Sequence, residues 1–234
     1  MKYQQDDGLY CDIIETVNND KYFAVIIAAG LSSRMGGFKP LLDVGGEPAL
    51  FRLLDSICKA GIERMAVVTG YGREAIEAAL EDYCAGRGER FEIAPLYNAD
   101  FEYGMFGSVK AGIGFAAEQA ECRAALLFPV DAPLVSVRTI TGLAGAWELG
   151  AQSLKVPPFA VPVYKGKNGH PLLIPREYFD EILAFTGEGG LKGVRAGYDA
   201  DMIRYVTEDA GCVLDMDTPE DYAKLIQFEK EQNR

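Results

Sequence analysis

Residues 23–42 read Phe-Ala-Val-Ile-Ile-Ala-Ala-Gly-Leu-Ser-Ser-Arg-Met-Gly-Gly-Phe-Lys-Pro-Leu-Leu. The apolar, β-branched run from Phe23 to Ala28 offers no polar face to water, which is the pattern of a strand buried on both sides of a parallel sheet. It breaks at Gly30 into a loop of small residues carrying Ser32, Ser33, Arg34, Gly36, Gly37 and Lys39. Glycines let the backbone approach a ligand, and exposed N–H groups with an arginine and a lysine suit a polyanion such as a triphosphate. Two familiar phosphate loops do not fit. A P-loop needs Gly-Lys followed by Ser or Thr, whereas Lys39 follows Phe38 and precedes Pro40. The dinucleotide fingerprint needs Gly-x-Gly-x-x-Gly, which the spacing from Gly30 to Gly36 does not supply. A loop whose charges merely face water would leave the spacing of Arg34 and Lys39 among glycines unexplained.

Composition narrows the rest. A chain of 234 residues suits one sizeable α/β domain, taken here as residues 21–234, with residues 1–20 an acidic extension to which the sequence gives no role. The formal net charge of −12 opposes binding to nucleic acid or to an anionic membrane, so an anionic nucleotide must be held by local positive charge or by metal. The five cysteines show no Cys-x-x-Cys spacing, which argues against a disulfide framework or a structural zinc site. A single histidine, His170, excludes chemistry built on several imidazoles. There is no uninterrupted apolar stretch of membrane-spanning length, and the polar opening has no signal-peptide core, so the expected location is cytoplasmic.

Along the chain, apolar periodicity predicts a helix over 48–60, a strand over 64–69, a helix over about 74–83 and a strand over 91–95. Such alternation implies a parallel sheet with ligands at the carboxyl ends of its strands. The next strand, 124–130, ends in Asp131-Ala132-Pro133. Asp131 reads either as a metal ligand at the ligand end of the sheet or as a cap for the helix over 137–149, for which Ser136 is better spaced. Residues 159–164 and 171–174 flank a Gly/Asn turn and predict a β-hairpin. Residues 187–197 form a second glycine-rich, basic stretch, read as mobile. Strands are expected at 203–207 and 212–214. Thr218-Pro219-Glu220-Asp221 starts a last helix, with Asp217 just before it.

The stretch Ala-Ala-Gly-x-Ser-x-Arg-Met-Gly-x-x-Lys-x-Leu-Leu at 28–42 resembles the signature loop of the MobA-like nucleotidyltransferases, most nearly the molybdenum cofactor cytidylyltransferases. Asn98 with Gly104-Met105 and Ser108, the step Gly169-His170-Pro171, and Asp215-Met216-Asp217-Thr218-Pro219-Glu220-Asp221 resemble further segments of that family, in the same order. The resemblance covers about residues 22–225. It implies a three-layer, doubly wound, mostly parallel α/β sheet with a small β-hairpin excursion. It also implies transfer of a nucleoside monophosphate, CMP from CTP, onto the phosphate of a pterin cofactor, with release of pyrophosphate. Ala28, Ala29, Gly30, Leu31, Ser32, Thr69, Gly70, Asn98, Gly104 and Ser108 would hold the nucleotide. Arg34, Lys39 and Asp131 would be catalytic, Asp131 and Asp217 would hold Mg²⁺ or Mn²⁺, and Gly169, His170 and Pro171 would lie beside the acceptor. Asn98 is equally readable as a turn residue, and a lone histidine as structural. The preference for CTP rests on Ala29, whose methyl would crowd a purine. A molybdenum hydroxylase is an implied partner. A sugar- or alditol-phosphate nucleotidyltransferase, and a non-catalytic protein that delivers a pterin cofactor, share the same resemblance.

Overall fold

The computed structural model of the chain describes residues 2–3, 21–87, 91–152 and 154–232; the extension read at 1–20 lies outside these apart from Lys2 and Tyr3. In chain order the elements are β1 (Lys2–Tyr3), β2 (Tyr22–Ile27), β3 (Asp43–Val44), β4 (Glu47–Pro48), α1 (Ala49–Lys59), β5 (Arg64–Thr69), α2 (Arg73–Arg87) and β6 (Glu92–Tyr97). There follow α3 (Met105–Glu118), β7 (Ala124–Pro129), α4 (Val137–Ala151), β8 (Ala160–Tyr164), β9 (Lys167–Asn168), β10 (Leu172–Pro175), α5 (Phe179–Ala184), α6 (Gly190–Arg195), β11 (Ile203–Val206) and α7 (Pro219–Gln232).

Nine strands of the described residues form one sheet in the order β1-β11-β8-β10-β7-β2-β5-β6, with β9 beside β8. Pairing is parallel except where β10 lies between β7 and β8 and where β9 meets β8. The mostly parallel α/β sheet inferred from the sequence is thus present. Strand β2 shows why. All six of its residues are buried, and they alternate between two cores. Tyr22, Ala24 and Ile26 face Leu50, Leu53 and Ile57 of α1 and Leu143 and Trp147 of α4, while Phe23, Val25 and Ile27 face Val109, Ile113 and Ala116 of α3. Each of the larger of these apolar side chains contributes about 1.5–3 kcal/mol by leaving water, and Ile26→Ala would cost roughly 2–5 kcal/mol. Helix α3 can lie this close because residue 112 is glycine; a Cβ there would collide with Val25 Cγ1.

The hairpin turn falls at Lys165–Gly166, both at positive φ (46° and 80°), as a two-residue hairpin loop requires. Its arms are not set apart: β8 and β10 both belong to the main sheet. The strand expected at 212–214 is instead a 3-10 turn, Ala210–Val213. Its cause is Asp209, whose Oδ1 accepts from Gly211 N at 2.8 Å while Oδ2 accepts from Ser136 N at 2.8 Å and Thr139 Oγ1 at 2.7 Å. This carboxylate turns the chain where a short apolar run alone would read as extended. The basic stretch 187–197 is largely α6, anchored by the buried Val194.

Candidate active site

The order of strands reverses at β2, which pairs with β5 on one side and β7 on the other. The loops leaving β2, β5 and β7 therefore diverge and open a crevice. The first loop is folded by Ser32, which adopts φ +52° and whose Oγ accepts from Lys39 N at 3.2 Å. Pro40 sits in the first turn of the following 3-10 turn, Lys39–Leu41. The result is a pocket of about 170 Å³ lined by Ala28, Ala29, Gly30, Ser32 and Ser108 together with Lys39 and Asp131. Seven residues named from the sequence are thus gathered on one pocket.

At its mouth Lys39 Nζ donates to Asp217 Oδ1 at 2.6 Å and to Asp131 Oδ2 at 3.2 Å, and Arg34 Nη2 donates to Asp217 Oδ2 at 2.9 Å. Burial disfavours the Lys39 charge, but the bond to Asp217 and the nearness of Asp131 outweigh it, so its pKa is raised. The hydrogen bond from Lys39 holds the Asp217 carboxyl below its usual range against partial desolvation, with Arg34 assisting. Asp131 does not cap α4; Ser136 does, accepting from Thr139 N at 3.2 Å. Nor is Asp217 needed to start α7, because Thr218 Oγ1 accepts from Asp221 N at 3.2 Å. Asp217 follows the 3-10 turn rather than a strand, and Met216 N donating to Asp131 O at 3.0 Å locks its segment against the first carboxylate.

Other residues named from the sequence play supporting parts or lie apart. Asn98 Nδ2 donates to Ser108 Oγ at 2.9 Å and its Oδ1 accepts from Asp100 N at 3.1 Å, so one side chain both forms the turn and orients a pocket hydroxyl. Gly104, at φ +117°, precedes α3. A Cβ on Gly70 would lie 2.6 Å from Phe101 Cγ and 2.8 Å from the Ala29 carbonyl, so glycine there lets three loops meet. Thr69 is fully buried and donates to Leu96 O, and Leu31, 49% exposed, turns to solvent. His170 N donates to Cys212 O at 2.8 Å, which ties Gly169-His170-Pro171 to the segment carrying Asp217. His170 is exposed at the surface; partial desolvation lowers the pKa of its imidazole, Asp131 opposes this and Arg195 adds to it. Phe101 also lines the pocket and was not foreseen, and Met105, quoted with Gly104 in the sequence motif, lines it without having been given a role of its own. Their signal was weak, since aromatic and Met side chains in a loop ordinarily read as packing.

The oxygen donors suit a hard divalent cation. Burial and then the Asp131, Asp217 and Asp221 charges push the Asp215 carboxyl up, which shows how much negative charge gathers here. Among the described residues no group of three or more His, Cys, Asp or Glu side chains is placed to hold a metal ion. A divalent cation at this mouth would meet the Asp131 and Asp217 carboxylates and would draw its remaining oxygens from water or a bound phosphate.

A phosphate-suited loop, a lysine and two carboxylates at the switch point of an open parallel sheet define a nucleotide-handling α/β protein. A family model of the MobA-like NTP transferase domain matches residues 24–202, and the chain belongs to this family of nucleotidyltransferases. It is 28% identical over 204 residues to the molybdenum cofactor cytidylyltransferase of Escherichia coli (strain K12), covering 85% of this chain and 92% of that one. A shorter match, 40% identical over 73 residues, joins 29% of this chain to 30% of the 2-aminoethylphosphonate cytidylyltransferase of Lancefieldella rimae. The fold matches that of Rv0371c from Mycobacterium tuberculosis H37Rv, solved in complex with manganese, at TM-score 0.62 and 21% identity over 88% of this chain and 98% of that one.

Proposed function

We propose that the chain transfers CMP from CTP to the phosphate of the molybdenum cofactor or its metal-free pterin, releasing pyrophosphate, in the cytoplasm. The observation that carries the transfer chemistry is Lys39 Nζ reaching both Asp131 and Asp217 at the mouth of a pocket that begins at Ala28. Likeness to the cytidylyltransferase over most of both chains supports the acceptor and the nucleotide. In this reading an oxygen of the acceptor phosphate attacks the α-phosphorus as the bond to the leaving pyrophosphate breaks. That oxygen is already anionic at neutral pH, so no protein nucleophile is needed.

Lys39 stays protonated through the working range and supplies a fixed positive charge to the phosphates. Arg34, whose side chain is 71% exposed, is free to follow the departing pyrophosphate. The loop amides after Ala29 take part of the same charge. Asn98, through Ser108, presents a hydroxyl to the nucleoside. His170 and the basic α6 face the acceptor, which they place in line. A divalent cation, Mg²⁺ or Mn²⁺, held by Asp131 and Asp217, would neutralise phosphate oxygens.

The short match to a phosphonate cytidylyltransferase supports a second reading, in which CTP and the nucleotide half are kept and the acceptor is a smaller phosphate or phosphonate. One assay separates the two. Pyrophosphate release from each NTP is measured with Mg²⁺ and, in turn, molybdopterin, 2-aminoethylphosphonate and sugar 1-phosphates. The first reading expects turnover with CTP and molybdopterin; turnover with only a small acceptor establishes the second, and release without any acceptor overturns both.

A further inference from the structure

Phe101 opens the 3-10 turn Phe101–Tyr103 in the loop between β6 and α3, and it lines the same pocket as Ala29 and Met105. We propose that its ring sets the size of the base the pocket admits, so that Phe101 selects a one-ring pyrimidine over a two-ring purine. This rests on the nucleotide half of the reading above and not on its acceptor.

A half-buried phenylalanine ordinarily covers a core. Phe106, five positions on, does so: it packs on the cluster beneath α3 and lies edge-on to Phe185, with ring centroids 6.0 Å apart. Phe101 is also half-buried, yet it packs on none of the three apolar clusters of the described residues. Its ring serves the pocket instead. A Cβ on Gly70 would lie 2.6 Å from Phe101 Cγ and 2.8 Å from the Ala29 carbonyl, so glycine at 70 lets the ring stand against the strand end that carries Ala29. The backbone around the ring is tied down. Asn98 N donates to Thr69 O at 2.9 Å, Asn98 Oδ1 accepts from Asp100 N at 3.1 Å, and Gly104 N donates to Phe101 O at 3.4 Å. These bonds make Phe101 a fixed wall rather than a flap.

The charged groups that suit the phosphates, Lys39 and Asp131, meet each other at the mouth. A nucleotide whose phosphates lie there leaves the apolar wall of Ala29, Phe101 and Met105 to its base. The pocket is small, about 170 Å³, and the second ring of a purine would have to displace a side chain that the Asn98 turn holds in place. An apolar wall senses ring size and not the donors and acceptors on the ring edge, so Phe101 does not tell cytosine from uracil.

The test is calorimetric titration of the full chain, and of Phe101→Ala, Phe101→Leu and Phe101→Tyr, with CTP, UTP, GTP and ATP in the presence of Mg²⁺ and without acceptor. Phe101→Ala should shrink the preference for pyrimidine over purine, read as the ratio of Kd values, by about tenfold or more, and Phe101→Leu by less. Phe101→Tyr should restore the wild-type ratio. GTP and ATP should gain alike, while the ratio for CTP and UTP stays within about twofold of wild type. Combined with Ala29→Gly, the gain should fall short of the product of the two single gains, because both groups meet the same ring. A pyrimidine preference that survives in Phe101→Ala and Phe101→Leu overturns the proposal and leaves the CTP reading standing, and so does a CTP to UTP ratio that moves as far as the purine ratio. A wild type that binds GTP or ATP as tightly as CTP overturns both. Loss of the preference in both variants supports the proposal whichever acceptor the chain proves to use.

Discussion

The half of the sheet made by β6, β5, β2 and β7 and the half made by β10, β8 and β11 contribute to the cleft by different means. In the first half every strand is parallel, and its contributions stand just past strand ends: Ala28 after Ile27, Gly70 after Thr69, Asn98 after Tyr97 and Asp131 shortly after Pro129. In the second half β10 runs the other way, so Gly169-His170-Pro171 stand ahead of a strand, near enough to Asp131 for its charge to act on His170. Asp217 follows a 3-10 turn and is held by the backbone bond from Met216 N to Asp131 O and by its ion pairs with Lys39 and Arg34. The first half positions its groups by sheet geometry alone. The second depends on contacts made to the first.

The sharpest test of that dependence is the pair of carboxylates. Asp131→Asn, Asp217→Asn and the double change should each lower kcat/KM by roughly three orders of magnitude, because groups that act as one unit are not additive. If the two losses multiply instead, the halves work separately and the shared carboxylate site is wrong. Lys39→Ala, which removes the residue bridging the halves, should cost roughly two to three orders of magnitude in kcat/KM while the melting temperature moves by only a few degrees. Retained activity with a large fall in melting temperature would make Lys39 a structural cross-link.

The same contrast governs what could be read from the chain. Residues 23–28 admitted one reading because all six are apolar and must be covered on both faces, and with the strand placed, Gly30 to Lys39 had to emerge at its carboxyl end. Helix starts at Ser136 and Thr218 were legible because a cap is a local device. The turn at 210–213 was not, since it rests on Asp209 reaching Ser136 and Thr139, a tertiary contact that no local pattern encodes. Phe101 escaped notice for a related reason: its place in the pocket depends on Gly70, far away in sequence. Leu31 shows the converse limit, for a position inside a motif does not say which way the side chain turns.

Within the first half, Ala29 offers a finer test. Its methyl lines the pocket, so Ala29→Gly should narrow the preference for CTP over GTP by roughly tenfold in kcat/KM, the scale set by one methyl group in a binding pocket. A wild-type kcat/KM for GTP or ATP above that for CTP removes the basis of the preference altogether.

The smallest expected effect separates the halves by pH. Asp217 has a depressed pKa, so its contribution to stability is present above the unfolded value of about 3.9 and is lost only as pH falls through its still lower folded value. Lys39 has a raised pKa, so its contribution is complete below about 10.5 and is lost only as pH rises through its higher folded value. The bridge is therefore silent between pH 5 and 8. His170 is the opposite case: its folded pKa is lowered, so its contribution is present above the unfolded value of about 6.5 and is lost as pH falls through the folded one. As the chain's single histidine, it can be isolated by comparing the wild type with His170→Asn. The difference between their unfolding free energies should be flat from pH 8 to 7 and then shrink modestly below pH 6.5, because an exposed imidazole is screened by solvent. Arg195→Gln should lessen that slope, because one of the charges that disfavours the imidazolium is gone, and an Asp131→Asn change should steepen it. Parallel pH profiles for wild type and His170→Asn would show that the imidazole is as free to ionise as one in water, and that the second half of the cleft does not enclose it.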